Sequence, residues 1–290
     1  MAYLSALDPR LGITPVVAFM NKEYTNRSSS LENTKRFVVK VGTSSLTDNS
    51  SRLDIGKVAN LVSMLMRERE QGRTPILVSS GAIGAGLGKL GRLERPEVIH
   101  ELQAAAAVGQ ATLMQTYEIF FNNYGQTIAQ LLLTMEDFTF KERRENLSNT
   151  LETLLNWGVI PIINENDTVA TEEIKVGDND TLGSFVALGA RAELMVILTD
   201  VDGLYRGNPS DDEGELVDIV EEITEEVEGW ASHAGKGFGG MYTKVQAAKR
   251  LSQGGIATVI ANTNTPNALA KVLKGEIGTL FLPNRGDNDE

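Results

Sequence analysis

The chain of 290 residues contains no cysteine. That absence excludes structural disulfides, thiolate metal centres and a cysteine nucleophile, and it argues against a secreted, disulfide-stapled protein. Histidine is nearly as scarce: His100 and His233 are too few and too isolated for a metal cluster or a catalytic triad, and both read as surface residues. Aromatic residues make up 6%, and the two tryptophans, Trp157 and Trp230, read as packing residues rather than base-stacking platforms. Positive charge is also in deficit, with 27 lysines and arginines against 39 aspartates and glutamates and a formal net charge of −12. Nucleic acid needs clustered cations to displace its counterions, so no nucleic-acid partner is expected. No apolar run approaches the roughly 18 residues of a membrane span. The expectation is a cytoplasmic protein with no membrane partner.

The acidity is concentrated. Ten acidic residues and no lysine or arginine lie between Asp211 and Glu228, leaving the rest of the chain near neutral. Such a run reads as a solvated face or loop, and no catalytic role is expected of it.

Residues 1–33 differ from the remainder of the chain. They carry Pro9, Pro15 and a Ser28-Ser29-Ser30 run, with little hydrophobic periodicity beyond Val16 to Met20. Lacking the charged start and long apolar core of a secretory signal, they read as an N-terminal extension, disordered or loosely docked. From Arg36 onward, apolar runs alternate with helical patterns. Phe37 to Val41, Pro75 to Ser80, Thr127 to Leu133, Val159 to Asn164, Leu194 to Thr199, Ile256 to Ala261 and Thr279 to Leu282 predict strands. Val58, Leu61, Val62 and Leu65 at i, i+3, i+4 and i+7 predict a helix stopped at Gly72. Further helices are expected through Ala104 to Phe121, over Leu147 to Leu155, from Thr181 to Ala190, near Lys244 to Gln253 and near Ala268 to Leu273. Continuous apolar strands alternating with amphipathic helices specify an α/β fold with a mostly parallel sheet covered on both faces. With no internal repeat and no linker, residues 34–290 read as one domain.

In such a sheet the chemistry gathers at the C-terminal ends of the strands. Four polar clusters follow strands here: Lys40-Val41-Gly42-Thr43-Ser44, Ser79-Ser80-Gly81-Ala82, Asn164-Glu165-Asn166-Asp167 and Thr199-Asp200. Lys40 lies inside an apolar strand, where an ammonium is costly unless its head reaches an anion or a carboxylate; snorkelling at the strand end is the plainer alternative. The segment Gly81 to Gly91 holds more glycine than a strand–helix turn requires. It contains a G-x-G-x-x-G match, which lies too far past the strand and lacks the following acidic residue of a dinucleotide site. No G-x-x-x-x-G-K-[ST] occurs either, which excludes a P-loop NTPase. Val176-Gly177-Asp178-Asn179-Asp180-Thr181 offers more acceptors than a helix N-cap needs. Gly235 to Lys244 is a glycine-rich stretch running into a helix, which suits a surface loop or a nucleotide phosphate cradle.

Six segments carry a resemblance when taken in order: Val39 to Ser44, Val78 to Ile83, Asn164 to Asp167, Glu173 to Asp180, Leu198 to Tyr205 and Gly239 to Lys244. Together, over about residues 35–283, they resemble the glutamate 5-kinase family of the amino-acid kinase superfamily. The resemblance implies a three-layer α-β-α sandwich and transfer of the γ-phosphoryl group of ATP, with Mg²⁺, to the side-chain carboxylate of L-glutamate. A carboxylate is already nucleophilic, so the scarcity of histidine is no obstacle; the task is positioning and charge stabilisation. By the same resemblance Lys40 and Lys244 contact the transferred phosphate and Asp180 holds those lysines. Ser80, Asp167 and Asn179 bind glutamate, with Asp167 expected on the α-ammonium and the amide and hydroxyl groups on the carboxylates. Thr199 and Asp200, with Phe238, Gly239, Gly240, Met241, Tyr242, Thr243 and Lys244, match the ATP-binding segments; Lys40 belongs there too. No protein ligand to the metal is implied. Inhibition by proline and a homodimer or homotetramer are further implications, with Met135 to Arg144 and Thr171 to Lys175 as candidate regulatory loops. Many bacterial members continue into a PUA domain, whereas this chain stops soon after Phe281-Leu282-Pro283, so a short form is expected. Phe238 and Tyr242 are bulkier than the small residues usual in the glycine-rich loop.

Overall fold

Strands turn alternate side chains to opposite faces, yet in the first strand Phe37, Val38, Val39 and Val41 are all buried. A strand apolar on both sides must be covered on both sides. The computed structural model describes residues 27–48, 52–92, 94–169, 179–207, 214–233 and 240–284. Along the chain these form α1 (Arg27–Glu32), β1 (Arg36–Val41), α2 (Ile55–Glu70), β2 (Thr74–Ser79), α3 (Ala82–Lys89), α4 (Ile99–Asn122), β3 (Ile128–Leu133), α5 (Glu136–Thr139), α6 (Lys141–Asn156) and β4 (Ile160–Glu165). They continue with α7 (Asn179–Gly189), β5 (Leu194–Thr199), β6 (Tyr205–Arg206), β7 (Glu215–Leu216), β8 (Ile219–Val220), α8 (Glu225–His233), α9 (Met241–Gln253), β9 (Ala257–Asn262), α10 (Ala268–Leu273) and β10 (Thr279–Phe281).

Eight strands form the central sheet in the order β3-β4-β2-β1-β5-β9-β10-β8. From β3 to β9 every neighbouring pair is parallel; β10 runs antiparallel to β9, and β8 parallel to β10. The mostly parallel sheet read from the sequence is therefore present. Alternation along the strands sorts the core into two layers. Val38, Val78, Ile163 and Ile197 pack with Leu151 of α6, Val186 of α7 and Val245 of α9. Phe37, Val39, Leu77 and Val196 pack with Leu61 of α2, Leu113 of α4 and Leu269 of α10 on the other face. The result is the three-layer α-β-α sandwich.

Several details depart from the sequence reading. The stretch Gly81 to Gly91, to which the sequence reading assigned no element, folds mainly as α3. Gly81 takes the left-handed conformation, φ 104°, that lets the chain leave β2 and start a helix. Gly86 and Gly109 let the backbones of α3 and α4 touch: a Cβ on Gly86 would fall 1.8 Å from Ala105 O, and one on Gly109 1.8 Å from Ala82 O. The glycine surplus thus serves helix packing. Helix α9 starts at Met241, not Lys244, and α5, α8 and β6 to β8 were too short or too acidic to show a hydrophobic period. In α8 the residues Glu225, Glu226 and Glu228 occupy the first turn, where the helix dipole favours negative charge; Asp211 to Glu213 lie outside the described residues. Trp157 is 74% exposed and follows the end of α6 rather than packing, because its position falls off the Leu147–Leu151–Leu155 stripe. Trp230 is half-buried beneath the Arg206 guanidinium, 5.0 Å from the ring centroid.

Residues 27–33, the end of the N-terminal extension, include α1. Leu31 is buried in the core, and Arg27 donates to Ile277 O and Gly278 O at 2.6 Å each while pairing with the Asp218 carboxylate. Residues 1–26 lie outside the described residues.

Candidate active site

Pleat alternation along β1 turns Lys40 to the same side as Val38, towards α7 and α9. There its Nζ meets Asp180 Oδ1 at 2.6 Å, and Lys244 Nζ reaches Asp180 Oδ2 at 3.1 Å. Thr243 Oγ1 donates to the same Oδ2 at 3.0 Å. Asp180 is the second residue of α7 and Lys244 the fourth of α9, so a strand end and two helix starts supply the three charges. Gly183, one turn along α7, makes the approach possible. A Cβ there would fall 2.5 Å from Met195 Cε, so glycine lets α7 lie on the sheet beside Lys40. All three charged residues are buried: Asp180 is 0%, Lys40 2% and Lys244 5% exposed. Two ammonium groups meet at this one carboxylate at the C-terminal edge of the sheet. Ammonium groups gathered there suit an incoming anion, and phosphate oxygens have the matching acceptor geometry.

A polar chain adjoins this triad. Ser80 follows β2, and its N–H bonds Val41 O at the end of β1 at 3.1 Å. Asn179, the residue before Asp180, donates from Nδ2 to Ser80 Oγ at 2.7 Å and to Asn164 Oδ1 at 3.0 Å. Asn164, near the end of β4, donates in turn to Gln110 Oε1 on α4 at 2.9 Å. Beneath Ser80, Ser79 Oγ and Tyr117 OH are 2.8 Å apart, and burial pushes the Tyr117 phenol above its ordinary range.

The remaining expected residues are spread along the same edge. Asp167 is half-buried in the turn after β4. Thr199 closes β5, donates to Asp200 Oδ1 at 3.1 Å and accepts at its carbonyl from Thr263 N–H at 2.7 Å. Gly240 precedes α9, and its carbonyl, 2.9 Å from Thr243 Oγ1, is the alternative acceptor for that one hydroxyl hydrogen; Met241 is buried and Tyr242 exposed. Phe238, Gly239 and the segment Glu173 to Asp178 lie outside the described residues, as does the candidate regulatory stretch Thr171 to Lys175. The structure thus brings Lys40, Asp180, Thr243 and Lys244 into one cluster, and joins Ser80 to Asn179 beside it. The sequence reading gave Gln110 and Asn164 no individual role. Asn164 carried a signal, as an amide closing an apolar strand. Gln110 carried almost none, as a lone polar residue beside the buried Ala106, Gly109 and Leu113 stripe of α4.

Among the described residues no group of three histidines, aspartates or glutamates is placed to hold a metal. The ammonium, amide and hydroxyl groups gathered at the site suit phosphate and carboxylate ligands.

Comparison with known proteins places this geometry in context. Residues 35–262 match the amino acid kinase family. The chain is 50% identical over 252 residues to a glutamate 5-kinase of Caldanaerobacter subterraneus, covering 86% of this chain and 68% of that protein. It is 49% identical over 261 residues to a glutamate 5-kinase of Clostridium acetobutylicum, covering 89% of this chain and 98% of that one. Among solved structures it shares the fold of a Giardia carbamate kinase, with a TM-score of 0.60 at 17% identity, covering 87% and 99% of the two chains. A UMP kinase from Ureaplasma parvum aligns with a TM-score of 0.54 at 14% identity, covering 89% and 100%.

Proposed function

Since the chain belongs to the amino acid kinase family, with glutamate 5-kinases among its relatives at half identity, we propose that it phosphorylates the side-chain carboxylate of L-glutamate. A carboxylate oxygen attacks the γ-phosphorus of ATP, the bond to the β–γ bridging oxygen breaks, and L-glutamyl 5-phosphate and ADP result. No proton moves, so no general base is needed. The observation that carries the reading is the buried Asp180 carboxylate holding Lys40 and Lys244 together, one residue from the amide that meets Ser80. The two ammonium groups flank the transferred phosphoryl group, offset repulsion between the two anionic substrates and stabilise charge on the equatorial oxygens. Asp180 holds both lysines in place. Glutamate binds at Ser80, Asp167 and Asn179. ATP runs along Thr199, Asp200 and residues 238–244, with its phosphates over the start of α9. Mg²⁺ is held by the nucleotide phosphates and water, and supplies charge neutralisation there; no side chain is assigned to it.

The reaction belongs in the cytoplasm, as the first step towards proline, and a homodimer or homotetramer is the expected assembly. Proline acts as a competing inhibitor near the glutamate site, with the segment Met135 to Arg144 (α5 and the start of α6) as a regulatory element. An unchanged glutamate KM at saturating proline would refute that part. The function itself is tested by trapping the acyl phosphate with hydroxylamine, in wild type and Lys244→Ala, with ATP, Mg²⁺ and L-glutamate. Hydroxamate that depends on glutamate and disappears in the variant is the expected result. Product from aspartate or N-acetylglutamate instead would overturn the substrate, and silence with all three would overturn the kinase.

A further inference from the structure

The Asn179 amide has a fixed direction, and the residues that fix it lie behind it. Both of its hydrogens are engaged, by Ser80 Oγ and Asn164 Oδ1. Its Oδ1 is buried and accepts no hydrogen bond from the described residues. Rotating the amide by half a turn would set two oxygens against each other, because Asn164 Oδ1 is itself committed as an acceptor. It receives the Glu165 backbone N–H at 2.9 Å, a group that can only donate. Asn164 is held from its other end by Gln110, whose Oε1 accepts from Asn164 Nδ2 at 2.9 Å. Asn164 is 2% exposed, so water is not at hand to replace that acceptor.

Gln110 is in turn placed by the close approach of α3 and α4. It follows Gly109, whose backbone lies against Ala82 at the start of α3, and Ser80 is two residues before Ala82. The same glycine contact therefore sets the depth of Gln110 and anchors the helix beside Ser80. The hydrogen-bond sequence has one polarity throughout: Gln110 accepts from Asn164, Asn164 accepts from Asn179, and the oxygen of Asn179 is the end left over. A buried acceptor to which the described residues bring no donor is rare and calls for an explanation, which a donor brought by the substrate would supply.

We propose that Gln110 is a positioning residue for amino-acid selection: through Asn164 it holds Asn179 with its oxygen as the acceptor for the substrate α-ammonium. The proposal rests on the glutamate reading and refines it, since the resemblance set the amide on a carboxylate. Gln110 itself does not touch the substrate. A site with an orphan acceptor selects ligands that carry an N–H group and discriminates against the same chain without it.

Glutarate, glutamate without its ammonium, is the probe. Hydroxamate formation gives the KM for L-glutamate and for ATP, and glutarate is measured as a competitive inhibitor against glutamate. In Gln110→Leu the volume is kept and the acceptor is lost, so the glutamate KM rises about tenfold, the effect of one unpaired buried donor. The glutarate Ki and the ATP KM should stay within about twofold, because neither ligand uses the Asn179 oxygen. Gln110→Glu retains an acceptor oxygen and restores the glutamate KM to near the wild-type value, while thermal melts of both variants check the fold. An unchanged glutamate KM in Gln110→Leu, or a glutarate Ki that rises in step with it, overturns the proposal while leaving the kinase reading intact. Failure of wild type to form hydroxamate from glutamate would remove the function itself, and this proposal with it.

Discussion

Asp180→Asn isolates what the buried carboxylate does. At N–O distances of 2.6 and 3.1 Å, each lysine contact has a gross Coulomb energy of about 5–6 kcal/mol at an effective dielectric constant of 20. Much of that is offset by the desolvation of three charges, and the Asn oxygen still accepts from one ammonium. Removing one partner of a buried ion pair nevertheless costs about 3–5 kcal/mol, because it strands the remaining charge. Here two neighbouring ammonium groups would lose the carboxylate they share, which sets the expectation at the upper end of that range, a large part of the ~5–15 kcal/mol typical of a domain. Adding Lys244→Met to Asp180→Asn removes one of those cations and returns the cluster to its original net charge. The double variant should therefore be more stable than Asp180→Asn and lie within about 2 kcal/mol of wild type, since replacing buried ions by apolar groups is often neutral. Activity should not follow. Loss of a transition-state cation costs about 10²–10³ in kcat, so the double variant remains a poor enzyme although its stability is restored. Urea denaturation followed by far-UV circular dichroism gives the stabilities, and hydroxamate formation gives the rates. If Asp180→Asn is as stable as wild type to within about 1 kcal/mol, or the double variant is no more stable than the single, the carboxylate is not bearing the charge of both lysines.

Gly109→Ala places a methyl group 1.8 Å from Ala82 O, where two helix backbones must separate; a loss of about 3 kcal/mol or more is expected in the same denaturation experiment. Tyr117→Phe leaves Ser79 Oγ without its 2.8 Å partner and should cost about 1 kcal/mol near neutral pH. Because burial raises the Tyr117 pKa, folding favours the neutral phenol, and that contribution is present below the unfolded value and lost as pH rises above about 10. The alkaline limb of the stability profile should accordingly be shallower in Tyr117→Phe. Hydrogen bonds from Arg36 at 2.8 and 3.2 Å hold the Glu152 carboxyl below its usual range, so that pair stabilises above the ordinary glutamate pKa and fades as pH falls. As Glu152 is half exposed the effect is under about 1 kcal/mol, and Glu152→Gln should flatten the acid limb between roughly pH 5 and 3 by no more than that.

How much could be read from the sequence depends on how local each signal is. The seven expected strands are all present because buried parallel strands are continuous apolar runs, and such runs are visible without knowing their neighbours. Strand β8 escaped because two residues have no period, and its partner β10 lies about 60 residues further along the chain. The reversal of β10 was equally hidden, since a buried triplet such as Thr279-Leu280-Phe281 carries no signal of its direction. Glycine was the residue most open to misreading. Beside phosphate-binding motifs a glycine-rich stretch suggests backbone left open for a ligand, whereas Gly86 and Gly109 face each other across two helices. Contact between glycines 23 residues apart is a tertiary fact that no local pattern announces.

At the site the legible residues are those whose type conflicts with their surroundings. Lys40 stands out inside an apolar strand, and the conflict is resolved by Asp180, 140 positions further on. Asn179 and Asp180 stand out because three acceptors beside a glycine exceed what a helix start requires. Gln110 offers no such conflict, since a polar residue on one flank of a helix is what an amphipathic pattern allows. Its position becomes informative once Asn164 is seen between it and Asn179, and the direction of the hydrogen bonds, donor to acceptor from Asn179 through Asn164 to Gln110, is then the feature with consequences. A chain of amides can point either way with equal numbers of hydrogen bonds. The Glu165 N–H, which cannot accept, is what removes the degeneracy and leaves an oxygen rather than an NH₂ group at the substrate end. Selectivity for an amino acid over a plain dicarboxylate can thus be set by a backbone amide and a helix side chain, neither of which meets the substrate.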